Sequence, residues 1–255
     1  MTESTNEKMS AIQRLTGKTA VITGGATGIG FAAAKRFVDE GAFVFIFGRR
    51  QEKLDAATAA LGPNSRGVKG SVTELADLDK LYEAIKAERG SLDIVMANAG
   101  AGMPTPIGKI TGEACDTIFG TNLKGTIFTV QGALPLMTGG GSIILTGSSA
   151  GTTGAPPFSV YGASKAAIRN LARSWAGTLK DQGIRINVLT PNAIASEIAK
   201  EALGEQGMKM FAQQTVLKRM GEPSEVGAVA AFLASSDSSF ITASEIAVDG
   251  GSAQV

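Results

Sequence analysis

Seven short apolar runs, set apart by longer helix-like stretches, constrain this chain more than any other feature of its sequence. The runs are Thr19–Thr23, Phe43–Phe47, Gly67–Gly70, Ile94–Ala97, Ser142–Thr146, Arg185–Leu189 and Glu245–Val248. Most are rich in β-branched or aromatic residues and lack strict apolar–polar alternation, the pattern of strands covered on both faces. Helical patterns lie between them, at Ile29–Glu40, Glu52–Leu61, Glu74–Arg89, Gly112–Met137, Ser159–Gln182 and Ser224–Ser235. Such alternation implies a parallel sheet with a helix in each crossover. The expected fold is α/β: a doubly wound, seven-stranded parallel sheet with helices on both faces, in one domain over 15–255. No internal repeat, low-complexity tract or second-domain linker interrupts it. Glu197–Leu217 breaks the rhythm as a Met- and Gln-containing helical insertion, expected to be a substrate lid. Met1–Arg14 is polar, lacks a signal-peptide core and is expected to be a flexible tail, with a natural start near Met9.

The first run leads into Val21-Ile-Thr-Gly24-Gly-Ala-Thr27-Gly28-Ile29-Gly30. Glycines there let the backbone turn tightly and approach a pyrophosphate, and the following helix offers free N–H groups and the positive end of its dipole. The spacing is G-x-x-x-G-x-G. Its place after the first strand of an α/β pattern makes the sheet Rossmann-type and the loop a phosphate cradle. In such sheets an acidic residue at the end of the second strand binds an adenine-ribose 2′-hydroxyl. Here Phe45-Ile-Phe47 is followed by Gly48-Arg49-Arg50, with no carboxylate and two guanidiniums suited to a 2′-phosphate. The expected cofactor is NADP(H).

Tyr161-Gly-Ala-Ser-Lys165 carries the candidate proton chemistry. On a helix these two side chains share a face, and a neighbouring ammonium favours the phenolate. The tyrosine is therefore expected to titrate below its usual range and to serve as acid and base. The chain contains no histidine and a single cysteine, Cys115, so a Ser-His-Asp triad and a structural zinc site are unavailable. No intrachain disulfide can form, which fits a reducing cytoplasm. A net charge of +1 with scattered cations gives no footprint for nucleic acid, and no apolar run is long enough to span a membrane. No metal is expected.

In their order along the chain, these motifs resemble the short-chain dehydrogenase/reductase superfamily, in its short single-domain branch. The resemblance runs from about Leu15 to Gly251. It rests on Thr23–Gly30, Asn98-Ala99-Gly100, Asn122, Ser148, Tyr161-x-x-x-Lys165, Pro191 and Val248-Asp-Gly-Gly251. The resemblance implies reduction of a carbonyl, or oxidation of an alcohol, by hydride exchange with a nicotinamide. Tyr161 would be the acid/base and Ser148 would bind the reacting oxygen. Lys165 would lower the Tyr161 pKa and, with Tyr161, hold the nicotinamide ribose. Asn122 would anchor a water that relays protons to Lys165. Gly24, Thr27, Gly28, Ile29, Gly30, Arg49 and Arg50 would bind the phosphates. Ser71 and Val72 would lie by the adenine, and Asn98, Ala99 and Gly100 would line the cleft. Pro191, Ile194 and Ser196 would border the nicotinamide. Ser149 competes with Ser148, but the offset to Tyr161 favours Ser148.

Departures from the family pattern are Ala97 before Asn98, Ser71 for the usual aspartate, Ser196 for a threonine, and Asn192 for the glycine after Pro191. Asn192 is expected to keep that turn because asparagine tolerates left-handed angles. Ala101–Pro106, Thr152–Phe158 and the lid would shape an apolar substrate pocket, with Met103, Phe158, Met208, Met210 and Phe211 as walls. The leading expectation is an NADP(H)-dependent carbonyl reductase or alcohol dehydrogenase. A 3-oxoacyl-carrier-protein reductase is the alternative, with Arg169 and Arg173 as docking cations, and a non-catalytic NADP-binding sensor is a third reading. Enoyl reductases of the superfamily place the tyrosine and lysine further apart. The resemblance also implies a homotetramer, paired through the helices carrying Asn122 and Tyr161 and through the C-terminal strand.

Overall fold

The computed structural model describes residues 13–253, apart from the side chains of Ile198, Ala202 and Leu203. Seven parallel strands form one sheet: β1 (Thr19–Thr23), β2 (Phe43–Gly48), β3 (Ser65–Lys69), β4 (Ile94–Ala97), β5 (Gly141–Thr146), β6 (Ile184–Pro191) and β7 (Glu245–Val248). Their spatial order is β3-β2-β1-β4-β5-β6-β7. The chain works outward from β1 to one edge, then returns to pair β4 with β1 and builds the other half. That reversal opens a crevice at the strand C-termini between β1 and β4, where ligands bind in such sheets.

The strands read as continuous apolar runs because alternate residues enter two separate cores. Val21, Phe45, Phe47, Val95, Ile143, Leu145 and Val188 pack beneath α3 (Leu75–Arg89), α5 (Gly125–Ala133) and α6 (Ser159–Leu179). Ile22, Val44, Ile46, Ile94, Met96, Ile144 and Leu189 pack beneath α1 (Gly28–Asp39), α2 (Gln51–Leu61) and α8 (Pro223–Ala234). Burial of a large aliphatic side chain contributes about 1.5–3 kcal/mol, so both faces of the sheet are anchored.

Three elements differ from the sequence reading. β3 starts earlier than expected, at Ser65, with Val44 to Gly48 opposite Ser65 to Lys69. The long helical run over 112–137 divides into α4 (Gly112–Phe119), a π turn (Gly120–Lys124), α5 and a 3-10 turn (Leu134–Leu136). In the π turn the Asn122 carbonyl accepts from Thr126 Oγ1 at 2.7 Å. The lid helix α7 (Glu197–Gln214) stops short of Leu217 and is broken at Gly204, with φ 61° and ψ −179°. Residues 1–12 of the expected tail lie outside the described residues. Arg14 is held firmly: it forks onto Glu40 at 2.7 and 2.6 Å, and Arg36 donates to the same carboxylate. Burial pushes the Glu40 carboxyl up, but the two guanidiniums outweigh it and lower its pKa.

Candidate active site

The glycine loop is tied to the sheet from below. Gly24 adopts φ +65° and donates to the Phe47 carbonyl at 2.8 Å. A Cβ on Gly25 would sit 2.7 Å from Ile46 Cγ2, and one on Gly30 would collide with the Gly24 carbonyl oxygen and lie 2.6 Å from Asn98 Nδ2. These are positions where the backbone leaves no room for a side chain. Thr27, extended, is the N-cap of α1 and makes no side-chain capping bond. The N–H groups of Gly28, Ile29 and Gly30 thus open the helix toward the crevice, as an anion site requires.

Asn98 closes the other wall. Its Nδ2 donates to the Thr23 carbonyl at 3.1 Å and to the Gly24 carbonyl at 3.3 Å. Thr23 Oγ1 in turn accepts from the N–H groups of Asn98 and Ala99 at 3.0 and 3.1 Å. Thr23, absent from the sequence expectations except as a motif end, is what locks β1 to the segment after β4.

Arg49 and Arg50 follow β2 as exposed side chains, with no ion-pair partner among the described residues. Lys69 lies beside them, opposite Gly48 in the β2–β3 register. Ser71 spends its hydroxyl on Thr73 Oγ1 at 2.8 Å, and its N–H donates to Asp77 Oδ2. That backbone bond, with Lys80, lowers the Asp77 pKa. Val72 is buried against Gly125.

On the opposite wall Pro191 ends β6 opposite Val248. Asn192 does not take the left-handed turn expected of it. Ala193 does, at φ 51°. Asn192 is held differently, with its N–H on the Val248 carbonyl at 3.2 Å and its Nδ2 on Ser252 Oγ at 2.7 Å. The Ile194 carbonyl accepts from the Ser196 N–H, and the Ile194 N–H has no backbone acceptor among the described residues. Ser196 caps α7 through Ala199 N–H, and its Cβ is 3.8 Å from the position a Cβ on Gly28 would take. The root of the lid therefore abuts the glycine loop.

The residues expected to handle the proton meet where α6, the end of β5 and the segment after β4 converge. Ser148 is half-buried and caps a 3-10 turn over Ser149–Gly151, while Ser149 is buried. Ser148 is near enough to Tyr161 for its hydroxyl to bear on the phenol's titration. Lys165 lies behind, buried, with Nζ donating to the Thr146 carbonyl at 2.8 Å and lying 5.7 Å from the Tyr161 ring centroid. Gly102 passes over that ring. Asn122 is fully buried: Nδ2 donates to Ala101 O and Ser164 Oγ, both at 2.9 Å, and Oδ1 accepts from Ala101 N–H at 2.7 Å. Its amide is thus a clamp between the segment after β4 and α6. Ser164, buried inside the Tyr161–Lys165 pentapeptide, is the partner that the spacing alone did not single out.

The Tyr161 pKa runs against the sequence expectation. Burial raises it, and the neighbouring Ser148 hydroxyl opposes that rise only in part. Burial also lowers Lys165 to about 8. A lysine with its folded value below its unfolded one binds fewer protons when folded, over the interval between them. Unfolding free energy should therefore rise as pH climbs from about 8 toward ~10.4, the usual lysine value. Lys165→Met should lack this gain. Urea unfolding at about pH 7.5 and about pH 9.5 compares the two proteins, and identical changes in both would overturn the assignment.

Two concavities flank the site. One of about 530 Å³ lies beneath the end of the lid, between Asn192, Val216, Leu217 and Gly250, and one of about 510 Å³ lies between Thr105–Ile107 and Thr153–Ser159. Neither is lined by Tyr161, so they adjoin the chemistry without containing it. Of the expected pocket walls, Met103, Phe158, Met208 and Phe211 are half-buried, whereas Met210 points outward, 62% exposed.

Residues 24–253 match a family model described as "Enoyl-(Acyl carrier protein) reductase". The chain belongs to the short-chain dehydrogenase/reductase superfamily. This short-chain dehydrogenase/reductase is 87% identical over 249 residues to "Oxidoreductase asL5" of Sarocladium schorii, covering 97% of this chain and 100% of that one. It is 33% identical over 245 residues to the "NADP-dependent (R)-specific alcohol dehydrogenase" of Lentilactobacillus kefiri, with 93% and 97% covered. Among solved structures it is similar to a short-chain dehydrogenase/reductase from Brucella melitensis, titled as a glucose/ribitol dehydrogenase. The TM-score is 0.91 at 30% identity, with 95% of this chain and 99% of that one covered. Among the described residues, no cluster of metal-ligating side chains occurs and no helix is long and apolar enough to cross a membrane.

Proposed function

We propose that this protein is an NADP(H)-dependent oxidoreductase that interconverts a ketone or aldehyde with its alcohol, with Tyr161 as general acid and base. The observation carrying this reading is the buried Lys165 behind the Tyr161 ring, its Nζ 5.7 Å from the ring centroid and held on the Thr146 carbonyl, with Ser148 at the turn that precedes α6. A nicotinamide, when bound, supplies or accepts the hydride. Ser148 and Tyr161 would both hydrogen-bond the substrate oxygen and stabilise the charge that develops there. Burial keeps the Tyr161 phenol protonated at neutral pH, so in the reductive direction its Oη holds the proton to be given. Lys165 stabilises the phenolate left behind. The ammonium of Lys165, oriented by the Thr146 carbonyl, would be the chain's own proton source for regenerating the Tyr161 phenol, while Asn122 braces the segment after β4 against α6.

The residues fit the dinucleotide. Gly24, Gly25 and Gly30 let the loop lie flush on Asn98, Ile46 and its own backbone, where a Cβ would not fit, and the first turn of α1 opens above it. Thr27, Gly28 and Ile29 complete the phosphate contacts, Asn98 to Gly100 line the crevice, and Pro191, Ile194 and Ser196 face the nicotinamide. Ser71 and Val72 take the adenine side. Arg49 and Arg50, with Lys69 alongside, favour a 2′-phosphate, and one relative's name specifies NADP. Arg49→Ala with Arg50→Ala should cut the NADPH-over-NADH ratio of kcat/KM by about 10- to 100-fold, the range for lost charge-assisted hydrogen bonds. Assay against a panel of ketones and aldehydes, followed by cofactor absorbance, checks this. A wild-type preference for NADH would overturn the cofactor assignment, and no turnover of any member the reaction. Cofactor-linked turnover also excludes a binding-only sensor.

A carrier-protein substrate is less well supported. Arg169, one of its two docking cations, is turned to Thr152 and Glu245 instead of presenting a free charge. The small residues Ala163, Ala167 and Gly177, not buried within the chain, would let α6 pair closely with a second copy in a homotetramer, which light scattering would test against the 26.0 kDa chain mass.

A further inference from the structure

We propose that Arg169, Glu245 and Thr190 form a clamp that positions Ser148 against Tyr161, making them positioning residues for the reaction. The inference rests on the reading of the site given above. Arg169 lies one helical turn beyond Lys165 on α6, so the two point the same way. Its Nη1 donates to Thr152 Oγ1 at 2.8 Å, at the end of the 3-10 turn that Ser148 caps. The same nitrogen lies 3.6 Å from Glu245 Oε2 on β7. The other oxygen, Glu245 Oε1, accepts from Thr190 Oγ1 at 2.8 Å.

Thr190 completes the circuit. It is buried at the end of β6, beside Pro191, and on the sheet face that α6 covers. A Cβ on Gly147 would come within 2.6 Å of Thr190 Oγ1. The Thr190 hydroxyl thus lies against the backbone just before Ser148, and Thr152 grips the chain just after the turn. Both supports lead to one carboxylate. The turn itself has little room to shift, since a Cβ on Gly151 would meet the Ala166 N and one on Gly162 the Ala150 carbonyl oxygen. Ser148 is therefore seated on α6 from above and braced across the sheet from below. Arg169 and Glu245 are both only about a quarter exposed, so their pairing is less screened than a surface ion pair.

Three variants dissect the clamp without large volume changes: Glu245→Gln, Thr190→Val and Arg169→Met. The chain has only two tyrosines, so ¹³C-tyrosine labelling gives one resonance from Tyr161 and one from Tyr82. Tyr82 is buried on α3, bonded to the Thr129 carbonyl, and serves as an internal control. Each variant should move the Tyr161 resonance and leave that of Tyr82 in place. With a turned-over ketone, each should lower kcat by about fivefold or more, with the dissociation constant for NADPH unchanged within about twofold. Arg169→Met combined with Glu245→Gln should cost no more than the worse single variant, as expected of groups acting as one unit. Arg169→Lys should recover part of the loss. An unmoved Tyr161 resonance in Glu245→Gln and Thr190→Val would overturn the clamp, even if the melting temperature falls. So would an unchanged kcat in these variants of an active enzyme. If the wild type turns over no carbonyl, the functional reading fails, while the resonance measurement still decides the clamp.

Discussion

Replacing Tyr161 by Phe is expected to reduce carbonyl turnover by about 10²–10⁴-fold, the range for a positioned general acid. The ring remains, so its packing against Gly102 is retained and the fold should not change. Only Oη is lost, and with it the proton source and one of the two hydroxyls at the substrate oxygen. Lys165 and Ser148 cannot substitute. Lys165 Nζ is committed to the Thr146 carbonyl behind the ring, and the Ser148 hydroxyl is far too weak an acid. NADPH should still bind, because the glycine loop and the arginines are untouched. Steady-state turnover together with a fluorescence titration of the cofactor separates the two effects. Full activity in Tyr161→Phe would end the proposed mechanism.

Gly30→Ala should show the opposite division: loss of cofactor binding with the proton-handling residues intact. Its new methyl would overlap the Gly24 carbonyl oxygen and approach Asn98 Nδ2 at 2.6 Å. Neither neighbour can easily yield. Gly24 is bonded to the Phe47 carbonyl, and Asn98 is bonded to both Thr23 and Gly24. Overpacking of this kind costs about 1–3 kcal/mol, and the strain falls on the loop that must close around phosphate. An affinity loss of about 10- to 100-fold for NADPH is expected by titration calorimetry. Gly112→Ala, where a Cβ meets nothing within 4 Å, is the control. Equal affinity in Gly30→Ala and Gly112→Ala would show that the cofactor does not use this cradle.

Much of the fold was legible in the sequence because parallel strands buried on both faces leave an unusual mark. Ile143-Ile144-Leu145 shows why: 143 and 145 enter one core and 144 the other, so all three must be apolar. The glycine loop was legible for a related reason. Close backbone approach admits only one residue type, and that residue appears as a spaced motif. The π turn was not legible, since Gly112–Met137 is helical throughout in pattern and only the local geometry around Asn122 shifts its bonding. The left-handed turn at Ala193 was misplaced onto Asn192. Backbone preference favours asparagine there, but bonds from Asn192 to Val248 and Ser252 hold it elsewhere.

The Tyr161 pKa shows the same division at the site. Spacing puts a lysine beside a phenol and so suggests a depressed value, but spacing carries no information about burial, which here acts in the opposite direction. The sequence by itself determined the layering of the sheet, the superfamily and the residue types proposed to handle phosphate and protons. These depend on periodicity and on motifs short enough to be read in one stretch. Only the tertiary structure decided which groups hold those residues in place. Thr23 with Asn98, Asn122 with Ala101 and Ser164, and Arg169 with Glu245 join segments far apart in the chain. Their pairing energies exist only after the sheet has brought the segments together.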